Sequence, residues 1–242
     1  MTDEHFDTEA TPNPEDVAGS VDDRFENRIV MSVPDEHNPK LQKVIELVNA
    51  DDDLYGLWLA ANVNAVERLG MTDHGPVHVK IVMNLAVRML RLLANAGVTS
   101  GVALNYEMSA KDAEVVVALA ALLHDVGMSI HRQDHEAFSL FIAQEKLKQI
   151  LQHVYDSRHE TIIRSEILHA IISHRSGGTP LTLEAGVVRI ADALDMAKGR
   201  SRIPFEAGSL SIHAVSAAAV DSVSLAKGDK KQIRVTIELS NS

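Results

Sequence analysis

The chain has 242 residues, of which 45% are hydrophobic and 24% charged, a composition typical of a globular protein with a sizeable core. It contains no cysteine, which excludes disulfides and thiolate metal sites, so His, Asp or Glu would have to hold any metal. Only 4% of the residues are aromatic and the sequence has no basic stripe, which disfavours a nucleic-acid partner. The sequence also lacks the patterns of a membrane span and a signal peptide, and we expect a cytoplasmic protein without a membrane partner.

Negative charge is concentrated at the N-terminus. Residues 1–36 contain eleven acidic residues against two arginines, a net charge of −9 out of the total of −11, so the rest of the chain is nearly neutral. Acidic, proline-containing segments of this kind do not bury enough apolar surface to fold. We therefore predict a flexible tail over 1–36, and a solubilising extension is a better interpretation of it than a partner-binding arm.

Helical periodicity dominates from residue 39 to about residue 197. Ser109 followed by Asp112 predicts an N-cap with an acidic first turn, and the helix after it is so apolar that we expect it to be buried on all sides and to stop at Gly127. Residues 98–108 are predicted as a loop or short irregular piece. The predicted helices begin at Pro39, Asp51 and Asp73 and then cover 112–125, 133–154, 158–174 and 183–197. The fold class is therefore mainly α, with a helical domain over 37–204.

The pattern changes after Pro204. The segments SLSIHAV, AVDSVSL and QIRVTIEL alternate apolar and polar residues, and Lys227 to Lys230 form a turn between the last two. This predicts a small antiparallel β element over 205–242. The chain stops soon after an alternating strand, which fits either a piece of a longer protein or a sheet completed by a second subunit. Because unpaired strand edges favour association, we expect a homodimer.

Most of the twelve histidines fall at or beside the ends of the predicted helices. The apolar run 115–123 ends in His124 and Asp125, and an imidazole and a carboxylate buried there need a compensating partner. Imidazole nitrogens and carboxylate oxygens suit divalent Mn, Fe, Zn or Mg, so this set of residues could bind one ion or two. Each residue alone also fits a helix-end or capping role. The other members of the set are His78, His131, His135, His174 and Asp192.

The order of these residues resembles the HD superfamily of metal-dependent phosphohydrolases, whose signature is H…HD…D. The matching pieces are HVKIV, LLHDVGM and IADALDM, and the resemblance spans about residues 72–204. It implies an all-helical domain that holds a catalytic divalent metal. The four residues carried over from the signature are His78, His124, Asp125 and Asp192.

A second resemblance is to binuclear members of the superfamily, such as the HD-GYP phosphodiesterases. The segments QDHEAF and ISHRSGG are similar to those that supply two further histidines, which implies His135 and His174 as ligands, with His131 and His169 as alternatives. Met128 stands where a lysine commonly follows HDxG, and SHRSGGTP replaces HHExxxGxGYP. The resemblance therefore favours a binuclear centre but not hydrolysis of cyclic di-GMP.

Basic residues follow the last signature residue in DMAKGRSR. They are candidate phosphate ligands, although a basic helix end that complements the helix dipole is an equally good interpretation. Asp195, one turn after Asp192, is predicted to orient a ligand histidine or to neutralise Lys198. We assign the catalytic role to His124, Asp125 and Lys198. The residues predicted to bind substrate are His74, His131, Lys198, Arg200 and Arg202.

Three functions fit the sequence. The first is a phosphatase or phosphodiesterase that uses metal-activated water on a nucleotide or nucleotide-like substrate, because a divalent ion makes water nucleophilic at neutral pH. The second is a diiron oxygenase, since some binuclear HD proteins resemble that type. The third is a non-catalytic regulatory module that binds metal or nucleotide, which the intact set of ligands argues against.

Overall fold

The computed structural model of the protein describes residues 20–34, 37–175, 177–196 and 220–239. Over these residues the chain is mainly helical with one two-stranded antiparallel sheet, which confirms the predicted fold class. The α-helices are α1 (Val21–Glu26), α2 (Pro39–Asn49), α3 (Asp52–Asn62), α4 (Pro76–Asn95), α5 (Gly101–Tyr106), α6 (Ala110–Leu123), α7 (His135–Leu151), α8 (Ser157–Ser173) and α9 (Leu183–Leu194). A π-helical segment (Val63–Arg68) continues α3, a 3-10 turn (Val126–Ser129) follows α6, and the strands are β1 (Val220–Lys227) and β2 (Ile233–Leu239).

Helix α6 is the centre of the helical body. Eleven of its fourteen residues are buried, and it packs against α2, α4, α5, α8 and α9, which confirms the prediction of a helix buried on all sides. The predicted cap at Ser109 is also confirmed, because Ser109 and Asp112 form a reciprocal capping box. At the other end, the Trp58 indole nitrogen donates to the Leu122 carbonyl at 2.8 Å. Both ends of α6 are therefore held by polar contacts.

The segment 98–108, predicted as a loop or irregular piece, contains the short helix α5. Its first two N–H groups, those of Gly101 and Val102, donate to the buried Glu184 carboxylate at 2.9 and 3.0 Å. Glu184 thus satisfies donors that a helix start leaves unpaired. Because this partner lies more than eighty residues along the chain, no local pattern reveals the helix.

Residues 20–34, which fall within the predicted tail, are folded against α2 and α3. The Asn49 side chain accepts from the Met31 N–H at 2.8 Å and donates to the Met31 carbonyl at 2.9 Å, and the Met31 side chain is buried. The Arg28 guanidinium forms an ion pair with Asp52 at 2.7 Å. The acidic composition of this segment therefore gave no indication that an apolar residue within it is docked.

Strands β1 and β2 pair antiparallel, with Val223 opposite Ile237, and the sheet packs on α4. This agrees with the predicted strands in AVDSVSL and QIRVTIEL. The predicted strand at 209–215 lies outside the described residues, as do Lys198, Arg200 and Arg202. The predicted homodimer and the domain boundaries stay predictions. Of the helices in the described part of the chain, none is both long and apolar enough to cross a bilayer.

Candidate metal centre

The ends of five helices converge on one group of imidazoles and carboxylates, here called the His–Asp cluster. Helix α4 contributes from its first turn, α6 from its C-terminal end, α7 from its first residue, and α8 and α9 from their C-terminal ends. Within each of three overlapping groups, ligand atoms lie within 4.8 Å of one another. The six residues of the cluster are His78, His124, Asp125, His135, His174 and Asp192.

The two oxygens of Asp125 face opposite sides of the cluster. Its Oδ2 lies 3.4 Å from His78 Nε2 and 3.3 Å from His124 Nε2. Its Oδ1 lies 3.0 Å from His135 Nε2 and 3.6 Å from His174 Nε2. One carboxylate is therefore shared by two halves of the cluster, a first half that contains His78 and His124 and a second half that contains His135 and His174.

Asp192 completes the first half. Its Oδ1 lies 3.5 Å from His78 Nε2 and 3.6 Å from His124 Nε2. The side chains of these two histidines are 0% exposed, whereas that of Asp192 is 27% exposed. Solvent therefore reaches the first half from the side of Asp192.

Hydrogen bonds at the outer ring nitrogens orient three of the four histidines. The Nδ1 atom of His78 lies 2.6 Å from Asp195 Oδ2, that of His124 lies 2.7 Å from the Ala121 carbonyl, and that of His174 lies 2.6 Å from the Ile171 carbonyl. Because these oxygens only accept, each Nδ1 carries the proton and the neutral ring directs the lone pair of Nε2 into the cluster. At His135, Nδ1 lies 3.0 Å from the Arg132 carbonyl and 2.8 Å from the Arg132 guanidinium, which is compatible with either tautomer.

The fit of a metal is tested by the distance between two of these inner nitrogens. His78 Nε2 and His124 Nε2 are 3.1 Å apart, beside Asp125 Oδ2. Two lone pairs at that distance repel unless a proton or a cation lies between them. Neutral imidazoles with carboxylates are a donor set that divalent ions of the first transition row accept. The cluster therefore fits a divalent metal.

Electrostatics in the cluster favour positive charge. Burial lowers the pKa of His124, but the Asp125 and Asp192 carboxylates outweigh burial and raise that pKa well above its usual range. Burial raises the pKa of Asp125, but its imidazole neighbours, His124 first, outweigh burial and hold that pKa well below the usual range.

Residues outside the cluster fix its members in place. Asp195, predicted to orient a ligand histidine, is buried beside His78. Asp73 Oδ1 accepts from the His78 N–H at 3.0 Å. The Ser139 hydroxyl donates to the His124 carbonyl at 2.6 Å and accepts from the Gly127 N–H at 2.9 Å. Sequence reasoning assigned no site role to Asp73 or Ser139. Asp73 carries a local signal because it lies three residues before Pro76, the first residue of α4, whereas Ser139 carries none.

Gly127, predicted as the stop of α6, has a different role. A Cβ atom at this position would overlap the His135 carbonyl and the Ser139 nitrogen. The missing side chain lets the start of α7 lie directly on the turn that follows Asp125. This close approach brings His135 to the cluster.

The remaining predicted site histidines occupy three different places. His74 Nε2 lies 4.0 Å from Asp125 Oδ2, and its Nδ1 lies 2.6 Å from the Thr72 carbonyl, so His74 borders the cluster. His131 is exposed. His169 Nε2 accepts from the Leu181 N–H at 3.0 Å. The structure therefore brings His135 and His174 into the cluster in preference to His131 and His169.

Comparison with known proteins agrees with this geometry. The HD domain family matches residues 77–197, a range that contains all six residues of the His–Asp cluster. The uncharacterized protein MJ1020 of Methanocaldococcus jannaschii is 42% identical over 181 residues, which cover 75% of this chain and 70% of that protein. None of the solved structures compared with the chain matches it. The chain belongs to the HD domain family.

Proposed function

We propose that the protein is a phosphatase or phosphodiesterase that cleaves a phosphoester of a nucleotide or nucleotide-like substrate with metal-activated water. The observation that carries this proposal is the pair of facing Nε2 atoms of His78 and His124, 3.1 Å apart beside the Asp125 carboxylate. This arrangement is stable only around a cation or a proton. The HD domain family generally consists of metal-dependent phosphohydrolases.

Two half-sites would hold the metal. The first consists of His78, His124, Asp192 and Asp125 Oδ2, and the second consists of Asp125 Oδ1 with His135 and His174. A bound divalent ion lowers the pKa of a water molecule toward neutrality and offsets charge on a phosphoryl oxygen. Manganese, iron, zinc and magnesium all accept nitrogen and oxygen ligands.

The protein's own groups orient these ligands and receive the substrate. Asp195 holds the His78 ring through Nδ1, which keeps Nε2 directed inward and makes it more basic. The partly exposed Asp192 marks the side from which a phosphoester reaches the first half. His74 borders that half and is assigned to contact with the substrate. Lys198, Arg200 and Arg202, next along the chain, remain the predicted phosphate ligands.

The test combines metal content with phosphate release. The protein is purified without chelator, and metals are measured by elemental analysis in the parent, in Asp125→Ala and in the matched control Asp229→Ala, whose carboxylate is exposed in the turn between β1 and β2. We expect about two ions per chain in the parent and the control and a loss of metal in Asp125→Ala. Hydrolysis of p-nitrophenyl phosphate and bis(p-nitrophenyl) phosphate, followed by release of p-nitrophenolate, and of a nucleotide panel, followed by chromatography of the products, should follow the metal content.

Two results would overturn the proposal. A parent protein that holds no metal and takes up none from Mn, Fe or Zn would remove its chemical basis. Bound iron with oxygen consumption, but without hydrolysis of any phosphomonoester or phosphodiester tested, would instead indicate the diiron oxygenase.

A further inference from the structure

An open cleft of about 930 Å³ lies on the outer side of His135, whose Nδ1 is 2.8 Å from the Arg132 guanidinium and 3.4 Å from Glu136 Oε2, two groups of the cleft lining. Arg132 and Glu136, which flank His135 in the chain, line it, and so does Arg175, which directly follows His174. Arg68 lines the cleft from the π-helical segment. Three arginines from separate parts of the chain therefore line one space close to His135.

The three arginines of the cleft have no acidic partner, unlike several other arginines in the described part of the chain. Arg28, Arg91 and Arg164 form ion pairs with carboxylates at 2.7, 2.9 and 2.7 Å. Within the described ranges, no carboxylate lies within ion-pair distance, 4.0 Å, of Arg68, Arg132 or Arg175. Three such arginines around one cleft indicate an anionic ligand.

Polar contacts connect Arg68 to the turn that follows Asp125. The Arg68 guanidinium donates to Asn64 Oδ1 at 2.7 Å. The Asn64 side-chain nitrogen in turn donates to the carbonyls of Met128 and Ser129, at 2.7 and 3.1 Å. The guanidinium is thus fixed relative to the cluster, which a binding group for part of the same substrate requires.

Acidic and apolar groups also line the cleft. Asp134 and Glu136 oppose the three arginines, and Glu136 Oε2 lies 3.4 Å from His135 Nδ1, so its charge is directed toward that imidazole. The excess of charge is positive. Leu69 and Ile130 are 51% and 54% exposed at the same cleft and offer apolar surface to the organic part of a ligand.

We propose that this cleft binds a second phosphate group of the substrate, remote from the phosphoester that reacts at the His–Asp cluster. Guanidinium groups bind phosphate through paired, charge-assisted hydrogen bonds, and Arg68 and Arg175 supply them here. The preferred substrate class is then a phosphoester that carries an additional phosphate, rather than a simple monophosphate. The substrate role of the cleft rests on the proposed phosphohydrolase function, whereas its affinity for a second phosphate does not.

The experiment measures binding without turnover. Alkane diphosphonates of increasing chain length and the matching alkyl monophosphonates have carbon–phosphorus bonds that phosphohydrolases do not cleave. Their affinities for the metal-loaded protein are measured by isothermal titration calorimetry, and the metal content is checked after each titration to exclude chelation. We expect the best diphosphonate to bind the parent roughly tenfold more tightly than its monophosphonate.

The variants are Arg68→Gln, Arg175→Gln and the double substitution. The matched control is Arg158→Gln, because Arg158 is also exposed and has no ion pair with another described residue, but lies near the start of α8, about 24 Å along the helix from His174. We expect the double variant to lose the preference for the diphosphonate while its monophosphonate affinity and melting temperature stay unchanged. Arg158→Gln should retain the preference.

The outcomes separate this inference from the proposed function. Equal affinity of the parent for diphosphonates and monophosphonates, or a preference that survives in the double variant, overturns the cleft as a phosphate site even if phosphate release is observed. A preference that the double variant loses, in a protein without phosphohydrolase activity, supports the cleft as a phosphate site and overturns only the reaction.

Discussion

The two ends of α6 each bury an aspartate, and the two aspartates have opposite surroundings. At the start of the helix, Asp112 is surrounded by donors: Lys40 Nζ at 2.6 Å, the Tyr155 hydroxyl at 2.8 Å, and the Ser109 N–H and hydroxyl at 2.9 and 2.7 Å. At the other end, Asp125 faces imidazole nitrogens, three of which direct a lone pair at the cluster in the neutral ring. Both carboxylates are buried, yet only Asp112 has a full set of protein donors.

These surroundings distinguish a buried aspartate with a structural role from one that could bind a metal. A carboxylate that accepts from protein donors, as Asp112 does from Lys40, Tyr155 and Ser109, needs nothing further. A carboxylate among lone pairs needs a proton or a cation beside it. The surroundings of an aspartate therefore identify a metal site more directly than its burial does.

Metal removal should have the largest effect on the free energy of unfolding, and this effect should come from the Asp125 end of α6 only. At a free metal concentration 1,000 times the dissociation constant, binding contributes about 4.1 kcal/mol to the free energy of unfolding, and a chelator should abolish this contribution. The same increment should remain in Asp112→Asn, because Asp112 has no part in the cluster. Denaturant unfolding with and without chelator measures both values. An unchanged unfolding midpoint in the chelated parent would contradict a stabilising metal at the Asp125 end of α6.

Asp112→Asn should reduce stability without reducing metal content. Loss of the charge-assisted hydrogen bonds from Lys40 and Tyr155 should lower the free energy of unfolding by about 2 kcal/mol at pH 7. The pKa of Asp112 in the folded protein is lower than its ordinary value of 3.8, so its stabilisation is fully present above that value and is lost as the pH falls through the folded pKa.

Chemical unfolding of the parent and Asp112→Asn across a pH series checks the sign of this effect. The difference between the two proteins should be constant at neutral pH and shrink at pH values below about 4. A difference that grows on acidification would contradict the lowered pKa of Asp112. A loss of bound metal in Asp112→Asn would show that Asp112 affects the His–Asp cluster.

Asp195→Asn should give the smallest of the three effects. Asparagine keeps an oxygen that accepts from His78 Nδ1 but removes the negative charge that makes Nε2 a better ligand. We expect metal affinity to fall about tenfold, or about 1.4 kcal/mol, in competition with a chromophoric chelator. Asp229→Asn is the matched control. Unchanged affinity in Asp195→Asn would mean that the backbone alone orients His78.

Local signals in the sequence predicted local features well. The capping box of Ser109 and Asp112 and the all-round burial of α6 depend on residues within the helix, and both are observed. The features that were missed depend on distant partners. The start of α5 depends on Glu184, and the docking of Met31 depends on Asn49. The His124 carbonyl is held by the Ser139 hydroxyl. A single sequence carries no pattern that joins such pairs.

The candidate site shows the same division. The order of His78, His124, Asp125 and Asp192 suggested the ligands, and the structure brings all four together. The arginine-lined cleft was not predicted, because the sequence does not show that Arg68, Arg132 and Arg175 line one space. Arg68 is connected to the turn after Asp125 through hydrogen bonds of Asn64.

The contact between His78 and Asp195 also limits when the centre can form during biosynthesis. The two residues are 117 positions apart, and the segment between them contributes most of the other ligands. At about 5 to 20 residues per second, the ribosome needs roughly 6 to 23 s to synthesise that segment after His78. A nascent chain that ends before Asp195 has no orienting carboxylate for His78, so the complete metal site becomes available only after nearly the whole helical body has been made.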